Sequence, residues 1–365
     1  MVSRLLSALD TRIARTRDPL QNDCLRAERV TLLARQGRLE EARAELARIR
    51  ARHTAKPNAV LTAWVCLGEG ISIYFGSLDT GARDRFQRAF ALSQAAQSMT
   101  VASLSAGWLA QMDFATLDFP RLLQHLPFAL QNAAPDQHSA QSRACLVAAE
   151  AFHWAERFDL ALPWYTRSRQ HATAEGDESM LSALMHNMAW LHVAEYRRRQ
   201  VAGQLAPDQT RHAKLGAESI ARFDELVGIA SLGSLVPVLQ AQVLMLEERH
   251  AEALAILYTS ADGFLRQGLD RLACVVSADI AWCELRCGHV ACAQQSAARA
   301  LAMIAPTTHA DDRALTFARL GQISRERGNL TDAERFHIEA DLAWQAHRNQ
   351  QAALLPALVS ALHEL

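Results

Sequence analysis

Apolar residues recur along the chain at helical spacing, in blocks of about four turns that run into a Gly-x-apolar turn and resume in a second helical block. Gln36-Gly37-Arg38-Leu39-Glu40-Glu41-Ala42 is one such turn, and Cys287-Gly288-His289-Val290-Ala291-Cys292-Ala293 and Arg327-Gly328-Asn329-Leu330-Thr331-Asp332-Ala333 repeat it. Degenerate copies end at Ala82, Ala161 and Ala253. The terminal alanines therefore stand at 42, 82, 161, 253, 293 and 333, separated by 40, 79, 92, 40 and 40 residues. The interval of 79 holds one more copy around Leu117-Asp118-Phe119-Pro120-Arg121-Leu122, and the interval of 92 holds another with an insertion. The pattern predicts eight helical hairpins with a period near 40.

Each unit follows one physical logic. The glycine tolerates the left-handed backbone that ends a helix. An acid or Thr, as at Glu40, Asp79, Asp159 and Thr331, opens the second helix, where it can cap free N–H groups and meet the positive end of the dipole. The alanine lets two helices approach, and a large residue one turn on (Leu46, Phe86, Tyr165, Leu257) fills the groove. One hairpin cannot bury its own apolar face, but a stack of them can.

The motif resembles the tetratricopeptide repeat, most closely at Phe317, Leu320 and Gly321, then Gly328, Ala333 and Ala340. The 40-residue period is longer than that family's ~34 and is similar to the superhelical helix-pair domain of MalT-type transcription activators. The resemblance covers residues 22 to about 348. It implies an all-α, right-handed superhelical solenoid of about eight helix-turn-helix (TPR-like) hairpins. The nucleotide-binding and helix-turn-helix modules of such regulators are missing, and there is no GxxxxGK[ST] loop, so the chain is expected to act alone or as the sensor part of something larger.

The pattern divides the chain into an N-terminal amphipathic helix (1–21), the repeat solenoid (22–348) and a C-terminal capping helix (349–365). Val2, Leu5, Leu6, Leu9 and Ile13 make the apolar face of the first, and Leu354, Leu355, Leu358, Val359 and Leu362 that of the last. The fifth unit is lengthened at about 197–212, where Arg197, Arg198 and Arg199 precede Gly203 and Pro207; it reads as a helix extension plus a surface loop.

Composition narrows the function. Alanine occupies 67 positions, which suits close-packed helices. Thirty-eight basic residues, of which only Lys56 and Lys214 are lysines, meet 39 acids for a net charge of −1, so direct nucleic-acid binding is not expected. No apolar run reaches the ~18 residues needed to cross a bilayer. The seven cysteines suit free thiols in a reducing cytoplasm, the expected location. No GxSxG, HExxH, GxGxxG or paired CxxC occurs, and no enzyme activity or cofactor is expected.

In hairpin solenoids the first helix of each pair lines the concave face. Projecting every unit on the alanine register gives a candidate groove: Gln111 and Phe114 in the third unit, Arg143, Glu150, His153 and Trp154 in the fourth, and His186, Asn187 and Trp190 in the fifth. Gln242 and Met245 follow in the sixth, Trp282 and Arg286 in the seventh, Gln322 and Arg325 in the eighth. Trp190 and Trp282 occupy the same repeat position, and Trp and Arg are enriched at binding hot spots. The alternative is that these tryptophans simply pack between helices. In peptide-sensing arrays that this chain resembles, an Asn on the inner helix pairs with the ligand backbone as donor and acceptor together, the role implied for Asn187. His153 beside Glu150 is an i, i+3 pair similar to half of a carboxylate-bridged metal site; a second half-site would be needed, and His186 with Glu195 does not have that spacing. Cys274, Cys283, Cys287, His289 and Cys292 form the sharpest metal suggestion, against which stand the absent CxxC spacing and the small-residue positions they fill; no metal site is assigned.

The expected function is a non-enzymatic recognition scaffold that binds a peptide or protein segment in its concave groove, in bacterial regulation or signalling. The alternatives are a sugar- or metabolite-sensing module of a MalT-like regulator system, and a structural adaptor that self-associates in a larger assembly. No membrane partner is expected.

Overall fold

The computed structural model describes residues 3–53, 57–77, 81–228, 235–266 and 272–363, with backbone alone at 207 and 261–266. Seventeen α-helices and no strand occur among the described residues. A first helix, α1 (Arg4–Arg15), precedes eight hairpins. The first four are α2 (Pro19–Arg35) with α3 (Leu39–His53), α4 (Ala59–Ser77) with α5 (Ala82–Ala95), α6 (Met99–Ala115) with α7 (Phe119–Asn132), and α8 (His138–Trp154) with α9 (Phe158–Glu175). The last four are α10 (Glu178–Val201) with α11 (Pro207–Val227), α12 (Leu235–Leu246) with α13 (His250–Arg266), α14 (Ala273–Arg286) with α15 (Val290–Ala302), and α16 (Ala310–Glu326) with α17 (Leu330–Leu362).

The alanine register holds. Ala42, Ala82, Ala161, Ala253 and Ala293 are 0% exposed and Ala333 is 3% exposed. Leu122 keeps the register in the third hairpin, and Ala213, forty residues before Ala253, is buried on α11. Leu46, Phe86, Tyr165 and Leu257 are all buried, as groove fillers should be.

The turns are more uniform in geometry than in sequence. Gly37, Leu117, Glu156, Gly203, Glu248, Gly288 and Gly328 all have positive φ. At Gly328 the Asn329 N–H reaches the Ser324 carbonyl, and at Leu117 the Asp118 N–H reaches the Asp113 carbonyl, the same wide helix-ending bond. Capping falls on other residues than expected. Asp118 accepts from the Arg121 N–H, and Asn329 from the Asp332 N–H. Glu40 pairs instead with Arg43 and Asp159 with Arg157; Asp79 lies outside the described residues.

Both ends differ from the sequence reading. Residues 1–21 are not one helix: α1 ends at Arg15, and α2 begins at Pro19, capped by Asp18, which accepts from the Gln21 N–H at 2.7 Å. Residues 349–365 are not a separate capping helix. Residues 349–362 continue α17, a single helix of 33 residues that passes through Pro356 and buries Leu354, Leu358 and Leu362. One helix, α4, is also long and apolar enough by length and composition to cross a membrane, although Glu69 interrupts its apolar run. Most of it is buried in the protein, where Leu67 and Ile71 join the main core.

The chain forms two compact units: Met1–Asn187 with Arg222–Ser231 and Leu354–Leu365, and Met188–Ala221 with Leu232–Ala353. In the first, Leu5 and Leu9 of α1, Val30 and Leu33 of α2, Ile49, Ile71, Phe86 and Trp108 share one apolar cluster, with Phe86 stacked on Trp108 at 5.6 Å. In the second, Phe317 stacks on Phe336 at 6.2 Å beside Ala278, Ala300, Leu320 and Ala340.

Candidate functional site

Within the first unit, α6, α8 and the start of α10, three successive first helices, each place a polar side chain in a shared hydrogen-bonded chain. Gln111 on α6 donates through Nε2 to Glu150 Oε2 on α8 at 3.3 Å, and Asn187 on α10 donates through Nδ2 to Glu150 Oε1. Arg143, two turns before Glu150 on α8, donates to Gln111 Oε1 at 3.5 Å and lies over the Trp108 ring at 4.1 Å. The sequence separations, 39 from Gln111 to Glu150 and 37 from Glu150 to Asn187, lie close to the 40-residue repeat period.

Gln111, Arg143 and Glu150 are buried, whereas Asn187 is half-buried and forms the outer end of the chain. Burial pushes the Glu150 carboxyl above its usual range, opposed by the Asn187 and Gln111 hydrogen bonds and by the charge of Arg143. Burial lowers Arg143 to about 10, which leaves it charged at neutral pH. Arg35 and Asp177 form a buried ion pair at 2.7 Å that ties α2 to the turn before α10, and Asp177 also caps α10 by accepting from the Met180 N–H.

The remaining first-unit candidates are packed rather than displayed. Phe114 meets Trp154 edge-on, and Trp154 also meets Phe119. His153 bonds through Nδ1 to the Tyr165 hydroxyl at 3.0 Å. His186 is buried, its Nε2 has no hydrogen-bond partner among the described residues, and burial lowers it to about 4. Gln111, Phe114, Arg143, Glu150, His153, Trp154 and His186 are therefore not an exposed groove lining, because neighbouring helices cover them.

The second unit builds a comparable knot that joins the candidates Gln322, Met245, Trp282 and Arg286 to Arg319, Gln200 and Asp279, which the sequence reading missed. Arg319 on α16, 2% exposed, donates to Gln322 at 2.9 Å and to Gln200 at 2.7 Å, and Gln200 in turn donates to the Met245 carbonyl. Arg197 binds both carboxylate oxygens of Asp279 at 2.5 and 2.7 Å. Burial lowers Arg319 to about 10 despite the nearby Asp279. Arg319 and Arg286 lie 5.3 and 5.6 Å from the Trp282 ring centre, and His250 meets the same ring edge-on. Trp282 is thus held by cations of its own chain. Gln242 and Met245 are buried, Arg286 pairs with Glu326, Arg325 is exposed, and Trp190 is half-buried with no ring or cation–π contact among the described residues.

Asp113, Asp177 and Asp279, which the sequence reading passed over, are all 0% exposed, where only an ion pair or a set of hydrogen bonds makes a buried carboxylate tolerable. Arg197 belongs to the arginine run expected in a helix extension with a surface loop; instead Arg197 is buried on Asp279, Arg199 pairs with Glu195, and Arg198 approaches Trp344. Cys274 and Cys283 are buried, Cys287 half-buried and Cys292 exposed. No three of Cys274, Cys283, Cys287, His289 and Cys292 converge within 4.8 Å. Burial pushes the Cys283 thiol up to about 12, which keeps it neutral.

No family model matches the chain, and no curated protein matches it. Among solved structures it is similar to a Rap protein seen in a crystal structure complexed with the competence and sporulation factor. The TM-score is 0.57 at 12% identity, over 95% of this chain and 99% of that one. The likeness is one of fold, and it agrees with the helices and their buried 40-residue beat: the chain is an all-α, tetratricopeptide-like helical repeat protein.

Proposed function

We propose that the chain is a non-catalytic recognition scaffold that binds a peptide or protein segment at the outer end of the Asn187–Glu150–Gln111–Arg143 chain. The observation that carries this reading is the state of Asn187. Its Nδ2 is fixed by Glu150, while its Oδ1 has no hydrogen-bond partner among the described residues. A side-chain amide held by one end offers a donor and an acceptor together, which is what a peptide backbone takes. The buried carboxylate and guanidinium behind it hold that amide in one orientation, which lowers the ordering cost of binding. The structural neighbour, solved with the competence and sporulation factor bound, supports a role in bacterial signalling, and the free cysteines suit a cytoplasmic setting.

The metabolite-sensor alternative would stack a sugar on a groove tryptophan, and at Trp282 that has less support because Arg286 and Arg319 already lie near the ring. The test is selection of a random peptide library on the full chain. Peptides enriched on the wild type should be lost on Asn187→Ala at an unchanged melting temperature. Failure to enrich any peptide overturns the peptide reading, and equal enrichment on Asn187→Ala overturns the site.

A further inference from the structure

The first unit contains a cleft of about 400 Å³ between the end of α3, the first half of α4 and α5, away from the Glu150 chain. Its floor is apolar, made by the buried Ile49, Leu61, Val65 and Cys66. Burial pushes the Cys66 thiol up, so it stays a neutral part of that floor. Its rim is cationic, made by Arg50, Arg85 and Arg88. Glu69 is the one carboxylate of the lining among the described residues, and it lies between Arg50 and Arg85, 3.3 Å from the latter. Arg88 makes no ion pair among the described residues and stands three residues from Arg85, on the same face of α5.

The other polar groups of the lining are engaged elsewhere: His53 bonds to Asp23, and Asn58 accepts from the Leu61 N–H. With Glu69 held by Arg50 and Arg85, the Arg88 guanidinium adds positive charge at the rim of an apolar floor, in a volume within the roughly 300–1,000 Å³ of small-molecule sites.

We propose that this cleft binds a small amphiphilic carboxylate, its apolar chain or ring on Ile49, Leu61 and Val65 and its carboxylate at Arg88 and Arg85. Glu69 shows the recognition at work inside the protein, as a carboxylate held between two of the same arginines. A planar guanidinium matches a carboxylate with two parallel N–H bonds, and the surplus positive charge repels a cation of the same shape.

The test is isothermal titration of the full chain with decanoate, acetate and decyltrimethylammonium, each below its micelle concentration. Decanoate should bind saturably at one site, and acetate and the ammonium at least about tenfold more weakly. Arg88→Ala should weaken decanoate about tenfold or more, the effect of losing one charge-assisted hydrogen bond. Arg88 is exposed, so this variant should melt with the wild type. Val65→Phe, which fills the floor, should also abolish binding; if it fails to fold, Arg88→Ala alone decides. Undiminished affinity in Arg88→Ala, or comparable binding of the ammonium, overturns the proposal.

Discussion

His186 is a buried imidazole that burial holds at about 4 instead of 6.5. The unfolded chain takes up a proton there below about 6.5, whereas the folded chain does not until about 4, so stability is lost as pH falls through that window. The gap corresponds to about 3 kcal/mol at its acid end. His186→Phe removes both the titration and the unpartnered Nε2. Its stability relative to wild type should rise by up to about that amount between pH 6.5 and 4, read from denaturant unfolding at each pH; parallel curves would contradict the assignment. Arg197 with Asp279 gives the opposite kind of residue effect, since both side chains are buried. Asp279→Ala leaves the guanidinium uncompensated and should cost about 3–5 kcal/mol of unfolding free energy. At this scale the sequence was a partial guide. Gln111, Arg143, Glu150 and Asn187 came from one register projection and do meet. Arg319, Gln200 and Trp108 did not, because a lone arginine or tryptophan on an amphipathic helix carries no mark of whether a neighbour covers it.

Turns make the hairpin. Gly328 and Leu117 occupy equivalent turns with φ of 78° and 55°, yet only one is a glycine. Left-handed backbone costs an L-residue roughly 1–2 kcal/mol. Gly328→Ala should therefore destabilise by about 1 kcal/mol, while Leu117→Gly should be neutral or stabilising, a contrast in sign that thermal melts of the two variants would resolve. The glycine signal thus found the turns at 37, 288 and 328 directly, and the alanine period was needed for those at Leu117, Glu156 and Glu248. Helix ends were harder to place. Asp18 and Asn329 cap where the pattern put no cap, and α17 runs on through Pro356 because a helix already formed tolerates the loss of one N–H bond when Leu354 and Leu358 anchor both sides.

Across the molecule, near-neutral charge conceals many internal pairings. Arg35 with Asp177 and Arg83 with Asp113 in the first unit, and Arg197 with Asp279 in the second, each hold a buried carboxylate. An arginine-rich chain with a net charge of −1 therefore keeps several of its cations inside. The period, the hairpins and the all-α architecture were legible from spacing because each repeat solves the same burial problem. The ligand was not, because repeat arrays bury the same small residues whatever they bind. The central claim is that the first unit receives a peptide at Asn187. Its most direct test is isothermal titration of one library-selected peptide into the wild type and Asn187→Ala. The account predicts about tenfold or greater weakening in the variant with coincident melting curves. Equal affinity for the two proteins would contradict it.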